Sequence, residues 1–545
     1  MDDHLDLNAG VLVIGGGLAG TWAALTAAQH GADVVLVDKG YCGTSGVTAT
    51  AGVGHWYLPP EAREAEVLAR TEAGGDLTEP DWMHATMETA WRRLPELDPY
   101  YPWPRSAGKP NRATQVRGPE YLRLMRARVR RAGVTVLDHH PATELLLGGD
   151  GEVAGANGIR LQEGGPWNCR APAVILATGG TAFLSRLLGA NNNTADGHLM
   201  AAEAGARFAG MEFSCFYTLS PAHSTMTRAF PFMYGTYRDC DGNELAFDNP
   251  RAALPIIARA LTRGPVTVVL DRMPQRTRDR LRHVQPNFLL PLLRKGIDPF
   301  TDPFPVTLRG EGTIRGTGGI AVTSTECEAG VPGLYAVGDA ASRQPIVGAA
   351  SGGGQPNSAW CVASGTWSGQ AAARRAAARR PSGHPPRATG TGSGTSGAGP
   401  RPLGRAGLRP GLSPRWLSPA DIGEIRAAVS LELNDIGRNM FRTADGLGRS
   451  RAILDDLWAR LAGYAPAGDG TERLRAREAA ALVAAGRWVL NAAVARQETR
   501  GMHHRADAPD RDPRFAGTVF TSGLDTVLTA VAPANRADSA AGRAS

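Results

Sequence analysis

The 545-residue sequence predicts an α/β fold, with a Rossmann-like dinucleotide-binding domain interrupted by a smaller lid domain and followed by helices. Three observations predict it. Residues 11–20 (VLVIGGGLAG) read as an apolar strand, a glycine turn and the start of a helix, with Gly15, Gly17 and Gly20 in G-x-G-x-x-G spacing. Residues 33–37 read as a second strand, ending on Asp38. Far downstream, residues 331–340 (VPGLYAVGDA) repeat the strand-to-glycine-turn pattern. Together the two segments point to a flavin dinucleotide rather than a nicotinamide one, and they tie the two ends of one domain together.

Each part of the first unit has a physical reason. Gly15 permits the tight turn, Gly17 lets the backbone approach a pyrophosphate, and Gly20 lets helix and strand pack closely. The helix N-terminus offers free N–H groups and its positive dipole end to the phosphates. Asp38, 23 residues after Gly15, is placed to accept from a ribose 2′-OH. The Ala- and Leu-rich helix 18–30 stops at Gly31, a good C-terminal cap. A Gly/Thr/Ser-rich loop fills 41–54, and 61–110 reads as a helical insertion with a Trp/Tyr/Pro-rich loop. Tyr121, Leu122, Met125 and Val129 fall at helical spacing, before a strand at 134–137.

A β-meander is expected next, with strands at 144–147, through 159, and at 173–177, the last ending in Thr178-Gly179-Gly180. Residues 197–205 resume as helix. The texture changes between about 216 and 312, where aromatics and prolines surround a buried-looking strand at 266–270. Residues 381–415 form a Gly/Pro/Ser/Arg stretch without apolar periodicity and read as a flexible linker. Ser418-Pro419-Ala420-Asp421 is a capping-box start, and 422–429, 451–461 and 472–497 read as helices. The expected domains are therefore a first part of the dinucleotide-binding domain (1–215), a capping or substrate domain (216–312), the second part (313–380), the linker (381–415) and a C-terminal helical domain (416–545).

With 42% apolar and 20% charged residues, the chain can bury large cores. The six cysteines (Cys42, Cys169, Cys215, Cys240, Cys327, Cys361) form no C-x-x-C pair, so no disulfide framework, zinc site, iron–sulfur cluster or other metal site is expected. The acidic N-terminus lacks the order of a signal peptide and no apolar run reaches 18 residues, so a cytoplasmic location without a membrane span is expected. The net charge of +7 is local. Ten arginines and no Asp, Glu or Lys lie between Asp339 and Asp421; subtracting them from +7 leaves −3 elsewhere. No nucleic-acid-binding surface is expected.

Taken together, GGGLAG, DKG…TSGVTATAGVG, AVILATGG, NTADGHLMAAEAGARFAGMEF, TGGIAVTS, PGLYAVGDA and RQETRGMHHRADAP resemble one flavoprotein family. It is that of fumarate reductase, succinate dehydrogenase, L-aspartate oxidase and the adenylylsulfate reductase flavin subunit. The resemblance covers about residues 8–58, 120–220, 245–275, 310–375 and, more weakly, 485–515. It implies a glutathione-reductase-type FAD-binding domain interrupted by an α+β capping domain, with catalysis in the cleft between them and a C-terminal helical domain. Carried over by motif, the implied FAD contacts are Gly15, Gly17, Gly20, Asp38, Lys39, Thr44, Ser45, Gly46, Gly52, Thr178, Gly179, Asp196, Gly338, Asp339, Asn357 and Ser358.

The departures carry the functional expectation. Gly46 stands where members with covalent flavin have His, which implies non-covalent FAD. Tyr217 replaces the substrate His of the family's Q-F-H-P-T motif. The second substrate His falls at or near Ile314, beside Arg315, and Gly348-Ala349-Ala350-Ser351 lacks the substrate Arg. Succinate and fumarate are therefore not expected as substrates. The resemblance implies a proton-transferring Arg at Arg251, with Arg259 a nearby competitor, and Tyr217 is a second catalytic candidate.

The leading expectation is an FAD-dependent oxidoreductase moving hydride between a small organic substrate and flavin N5. One alternative is a ketosteroid-dehydrogenase-like enzyme using Tyr217, Tyr234 and Tyr237 as acid/base groups. Others are a flavin-bearing electron-relay subunit docking to an iron–sulfur protein, and a basic interaction module built on the linker. A separate electron donor or acceptor is compatible with each enzymatic reading, and the oligomeric state is open. Cys42 and His223 read as packing and solvated residues. Arg500, His503, His504 and Arg505 read as a clamp between the helical and flavin domains.

Overall fold

The computed structural model describes residues 4–106, 108–113, 116–227, 230–247, 253–379, 401–402, 415–462, 464–465 and 470–533. Its central sheet is five-stranded and parallel, in the order Leu334–Ala336, Ala173–Leu176, Val11–Ile14, Val34–Val37, Thr135–Leu137. The four strands from 334 to 37 in that order are apolar and wholly buried, as expected where a sheet is covered on both faces. The two glycine segments thus follow strands that flank one shared neighbour, Ala173–Leu176.

Helix Leu18–Gln29 packs against the long helix Gly354–Ala378 through small residues. A Cβ on Gly365 would lie 2.5 Å from the Ala19 carbonyl oxygen, and one on Gly369 2.6 Å from that of Ala23, so glycine sets the helix separation. A second sheet joins Leu5–Asn8, Pro166–Arg170, Val153–Ile159, Ala142–Leu147 and Arg401–Pro402. This corrects the expected meander. Ala173–Leu176 belongs to the central sheet, and its place beside Val153–Ile159 is taken by Pro166–Arg170, whose short alternating pattern buries only Trp167 and Cys169. Arg401–Pro402 falls inside the expected linker and pairs with Ala142–Leu147; residues 380–400 and 403–414 lie outside the described residues.

Between 217 and 310 an antiparallel sheet, Tyr217–Pro221, Phe304–Gly310, Val266–Val269 and Thr236–Arg238, carries helices Ala253–Leu261, Gln275–Val284 and Pro286–Leu293. It has its own core, including Ile257, Val266, Phe288 and Phe304. The C-terminal part consists of helices Pro419–Asn434, Ala444–Ala462 and Gly470–Ala495. The capping box at Ser418 and Asp421 is formed as expected. Among the described residues, Gly470–Ala495 is long and apolar enough to cross a membrane, but 78% of its apolar window is buried in this fold. Trp488 on that helix stacks on Phe208 with ring centroids 4.0 Å apart. A feature absent from the expectation is the hairpin Val519–Ser522 and Leu528–Val531, which extends a small sheet through Phe208–Ala209 to Gly319–Ile320.

Candidate active site

The carboxyl ends of Val11–Ile14, Val34–Val37, Ala173–Leu176 and Leu334–Ala336 open onto one cleft of about 960 Å3. Gly15, Gly17, Asp38, Lys39, Ser45, Gly46, Thr178, Gly179, Asp196, Gly338 and Asp339 line it. Gly15 has φ +109°, and a Cβ there would sit 2.3 Å from the Ala177 carbonyl oxygen. Gly20 lies beneath the cleft, where a Cβ would be 1.9 Å from the Gly15 oxygen. Gly17 differs: a Cβ there meets nothing within 4 Å, so its backbone faces open cleft. Helix Leu18–Gln29 has no side-chain cap and no acidic residue in its first turn, which leaves its N–H groups for an anion.

The charged residues are more constrained than motif matching implied. The Asp38 carboxylate accepts from the N–H of Gly16 (2.6 Å), the N–H of Gly40 (2.7 Å) and Ser45 Oγ (2.8 Å). Of roughly four acceptor positions, about one is left for a ribose hydroxyl. Lys39 Nζ donates to Thr194 Oγ1 and Asp196 Oδ2, each at 2.8 Å, and to Glu478 Oε1 at 2.5 Å. Burial lowers the Lys39 pKa, but the Asp196 and Glu478 carboxylates outweigh it and the net shift is upward. With three donors engaged, Lys39 holds the cleft wall together instead of reaching a ligand. Thr44 is exposed, with its hydroxyl on the Tyr41 carbonyl at 3.3 Å, and it does not line the cleft. Cys42 packs under Gly16, where burial pushes its thiol up to about 12, so it is no nucleophile.

A second cleft of about 720 Å3 continues from the first across Leu18, Val47, Thr48, Asp339 and Cys361. Gly52, Asn357 and Ser358 line it, and Asn357 Oδ1 is buried without a partner. Thr178 Oγ1, in the first cleft, is likewise buried and unpartnered. These orphaned polar atoms, the open backbone at Gly17 and the uncapped helix fit an extended dinucleotide lying along both clefts. Asp339 accepts from Arg343, which is fully buried and also donates to the carbonyls of Thr313, Ile314 and Gly316. Burial raises the Asp339 carboxyl against the opposing pull of Arg343.

A third, larger cleft of about 1790 Å3 adjoins the second at Thr50, Ala51, Gly52, Thr227, Glu311 and Arg315. Phe216 and Thr218 line it, and Tyr217, between them on one strand, points the other way. Tyr217 is 2% exposed in the capping core, with its hydroxyl on the Asp435 carbonyl at 3.4 Å, and burial pushes its phenol pKa up. The expected catalytic role of Tyr217 is corrected on these grounds. Tyr237 is equally buried and donates to the Phe232 carbonyl, so two of the three tyrosines considered for acid/base chemistry are locked in the core; Tyr234 is half-buried and packs edge-on against Phe230. Arg251 lies outside the described residues. Arg259 lies over the Phe441 ring at 4.4 Å.

At the three positions of the dicarboxylate clamp the structure places no unpaired cation: Arg315, beside Ile314, lines the second and third clefts but lies 3.4 Å from the Glu311 carboxylate. Tyr217 is in the core, Ile314 is buried and apolar, and Ala349 is fully buried, bonded to Gly74 and Met502. The motif reading missed Glu311, Asn192, Asn193 and His140 as lining residues. Glu311 had a signal, a lone carboxylate directly after an alternating strand and five residues before G-T-G-G-I.

Of the expected clamp, Arg500 and His503 reach groups outside their own segment, Arg505 pairs with nearby Asp507 and the His504 carbonyl accepts from the Arg442 N–H, while Arg442 and Arg496 join it unforeseen. Arg496 Nε donates to Glu212 at 2.8 Å, Arg500 pairs with Glu498 and Gly75, and His503 Nδ1 lies 2.7 Å from Arg442 Nη1. Four of the ten clustered arginines, Arg343, Arg374, Arg375 and Arg379, pair with carboxylates of the folded chain.

Residues 10–356 match the family model described as FAD binding domain, and residues 435–523 match that of the fumarate reductase flavoprotein C-terminus. An L-aspartate oxidase of Streptomyces coelicolor is 28% identical over 92% of this chain and 89% of its own length. That of Mycobacterium tuberculosis is 29% identical over 95% and 96%. Among solved structures, a variant FrdA of E. coli quinol fumarate reductase superposes with TM-score 0.80 at 22% identity, covering 97% of both chains. Adenylylsulfate reductase of Archaeoglobus fulgidus gives 0.74 at 18%, covering 97% and 96%. The chain belongs to the FAD binding domain family, as an FAD-dependent oxidoreductase of the fumarate reductase and succinate dehydrogenase flavoprotein type.

Proposed function

We propose that this chain moves hydride between non-covalently held FAD and a small organic substrate other than succinate or fumarate. The observation that carries this reading is the clamp itself: Tyr217, Ile314 and Ala349 bring no cation to the clefts, whereas the Glu311 carboxylate lines two of them. Arg315 lines the same two clefts but is paired with Glu311, so the pair brings no net positive charge with which to clamp two carboxylates. Gly46 lines the first cleft with no side chain to attach a flavin, which supports non-covalent binding. Bound FAD supplies the two-electron acceptor or donor. The chain's own residues orient it through the glycine turn, the Leu18–Gln29 helix end and the Asn357 amide, and the capping sheet covers the substrate side.

The L-aspartate oxidases share this chain's length, but aspartate is itself a dicarboxylate, so the same argument speaks against it. The test is anaerobic bleaching of the flavin absorbance by a metabolite panel that includes succinate, L-aspartate and neutral or singly charged compounds. Bleaching by a member of the last group, and by neither dicarboxylate, is expected; bleaching by succinate or L-aspartate overturns the reading. Acid precipitation should release FAD into solution, and flavin retained on the precipitated chain would refute non-covalent attachment.

A further inference from the structure

The turn that leads from the capping sheet back to the flavin-binding core carries two charged side chains. Strand Phe304–Gly310 runs into Glu311, and the short helix Gly312–Arg315 follows. Glu311 is 2% exposed, and its Oε2 lies 3.4 Å from Arg315 Nε. Both residues line the second cleft and the larger third one, so they stand where the two meet. Of the other carboxylates lining these clefts, Asp339 is engaged by Arg343, and Glu120 is exposed and faces Arg117 at 3.2 Å. Glu311 is the buried carboxylate left at the junction.

The backbone fixes it there. The Glu311 N–H donates to the Phe216 carbonyl at 2.8 Å, and Thr313 exchanges bonds with Thr181, from its N–H at 2.9 Å and to its Oγ1 at 2.8 Å. Gly312 has φ +49°, and a Cβ would lie 2.1 Å from the Thr181 carbonyl oxygen, so glycine alone fits beside Glu311. Arg343, which grips Asp339 in the cofactor cleft, also holds the carbonyls of Thr313 and Ile314. The carboxylate is thus tied to the cofactor cradle through one buried guanidinium. Tyr101, Phe216, Phe230 and Pro286 give the outer cleft an apolar wall.

A carboxylate paired with a guanidinium suits a partner that presents a donor, not one that brings further negative charge. We propose that Glu311, positioned by Arg315, accepts a hydrogen bond from the substrate's O–H or N–H group and receives its proton as the adjacent carbon gives up hydride. The substrate class is then an alcohol or amine on an apolar body. This rests on the hydride-transfer reading above. The O–H or N–H bond breaks, its proton going to Glu311 and its electron pair forming the C=O or C=N bond. The C–H bond breaks with its pair leaving as hydride to oxidised FAD, the two-electron oxidant. The proton then leaves Glu311 through the outer cleft.

The test uses FAD-loaded wild type, Glu311→Gln and Glu311→Asp, with benzylamine and benzoate as probes that share a ring and differ in charge. Flavin difference spectra read binding without turnover. Benzylamine is expected to bind about tenfold more weakly to Glu311→Gln and to recover in Glu311→Asp, the loss of one charge-assisted hydrogen bond. Benzoate should bind Glu311→Gln more tightly than wild type. Anaerobic bleaching by a panel of alcohols and amines should slow about 100-fold in Glu311→Gln at unchanged FAD content. Equal affinities of Glu311→Gln and wild type for both probes overturn the assignment. Bleaching of Glu311→Gln at the wild-type rate also overturns it, while leaving hydride transfer standing. A panel that bleaches neither protein, with the charge contrast intact, defeats hydride transfer and the proton step with it.

Discussion

Three glycines of one motif do different physical jobs, and single substitutions separate them. Gly17 has φ −73°, which any residue adopts, and open space at its Cβ position. Gly17→Ala should therefore leave the melting temperature of the FAD-free protein unchanged. FAD affinity should still fall about tenfold, because the methyl group stands where a pyrophosphate approaches. Gly20→Ala should cost about 3 kcal/mol of stability, since its methyl group would lie 1.9 Å from the Gly15 oxygen. Thermal melting and FAD fluorescence titration measure the two effects, and equal stability losses would contradict the distinction. His198 sets a pH dependence. Burial drives its imidazole from 6.5 down to about 4, against a weaker upward pull from Asp196. Below 6.5 the unfolded chain binds a proton that the native chain refuses until about 4. The contribution is full above 6.5, and about 3 kcal/mol is lost as pH falls from 6.5 to 4. His198→Leu should flatten that part of the urea-midpoint profile; an unchanged slope counts against it.

The C-terminal elements are fastened by buried charge. Arg496, just beyond helix Gly470–Ala495, is fully buried, as are Glu212 and Glu498, and it bonds both carboxylates at 2.8 Å. Burial alone holds Glu212 above the usual carboxylate range in spite of Arg496. Arg496→Met should cost about 3–5 kcal/mol in urea unfolding, because it strands a buried carboxylate. Adding Glu212→Leu should restore part of that loss; a double variant worse than the single one would show that the pair itself is the stabilising unit. This fastening was only partly legible in the sequence. The runs that became Val11–Ile14 and Ala173–Leu176 announce themselves because strands buried on both faces need continuous apolar residues. Phe208–Ala209 and Gly319–Ile320 do not, since a two-residue strand exists only through partners far along the chain. The same division runs through the site. Gly15, Gly17 and Gly20 were readable because turn and close approach are local demands. Tyr217 was not, because pairing with Gly310 decides which face of its strand meets the cleft. Neither was Lys39, whose three donors find partners on two distant helices and the segment before one of them.

At the scale of the molecule, Lys39 is where the cofactor cleft and the C-terminal helices meet. It follows the second central strand, Asp196 opens helix Asp196–Glu203, and Glu478 belongs to Gly470–Ala495. Glu478 also lies 3.3 Å from Arg426 on helix Pro419–Asn434, so one carboxylate joins two C-terminal helices to the cleft wall. FAD binding and the folding of the C-terminal region should therefore be linked. Ligand at a hundredfold excess over its dissociation constant stabilises the binding-competent fold by about 2.7 kcal/mol, and coupled elements share that protection. Amide exchange in Gly470–Ala495 should slow when FAD is added, although the helix does not line the cofactor cleft. Glu478→Gln removes one of the two carboxylates that hold Lys39, and should uncouple the two regions. It should weaken FAD binding by about 1 kcal/mol, because this largely buried pair is lost while Lys39 keeps its Asp196 partner. The FAD-dependent slowing of exchange in the helix should shrink in that variant, while slowing around Gly15 and Gly17 persists. Equal protection of the helix in wild type and Glu478→Gln would place the linkage elsewhere, with the buried Arg477–Glu203 pair as the next contact to break.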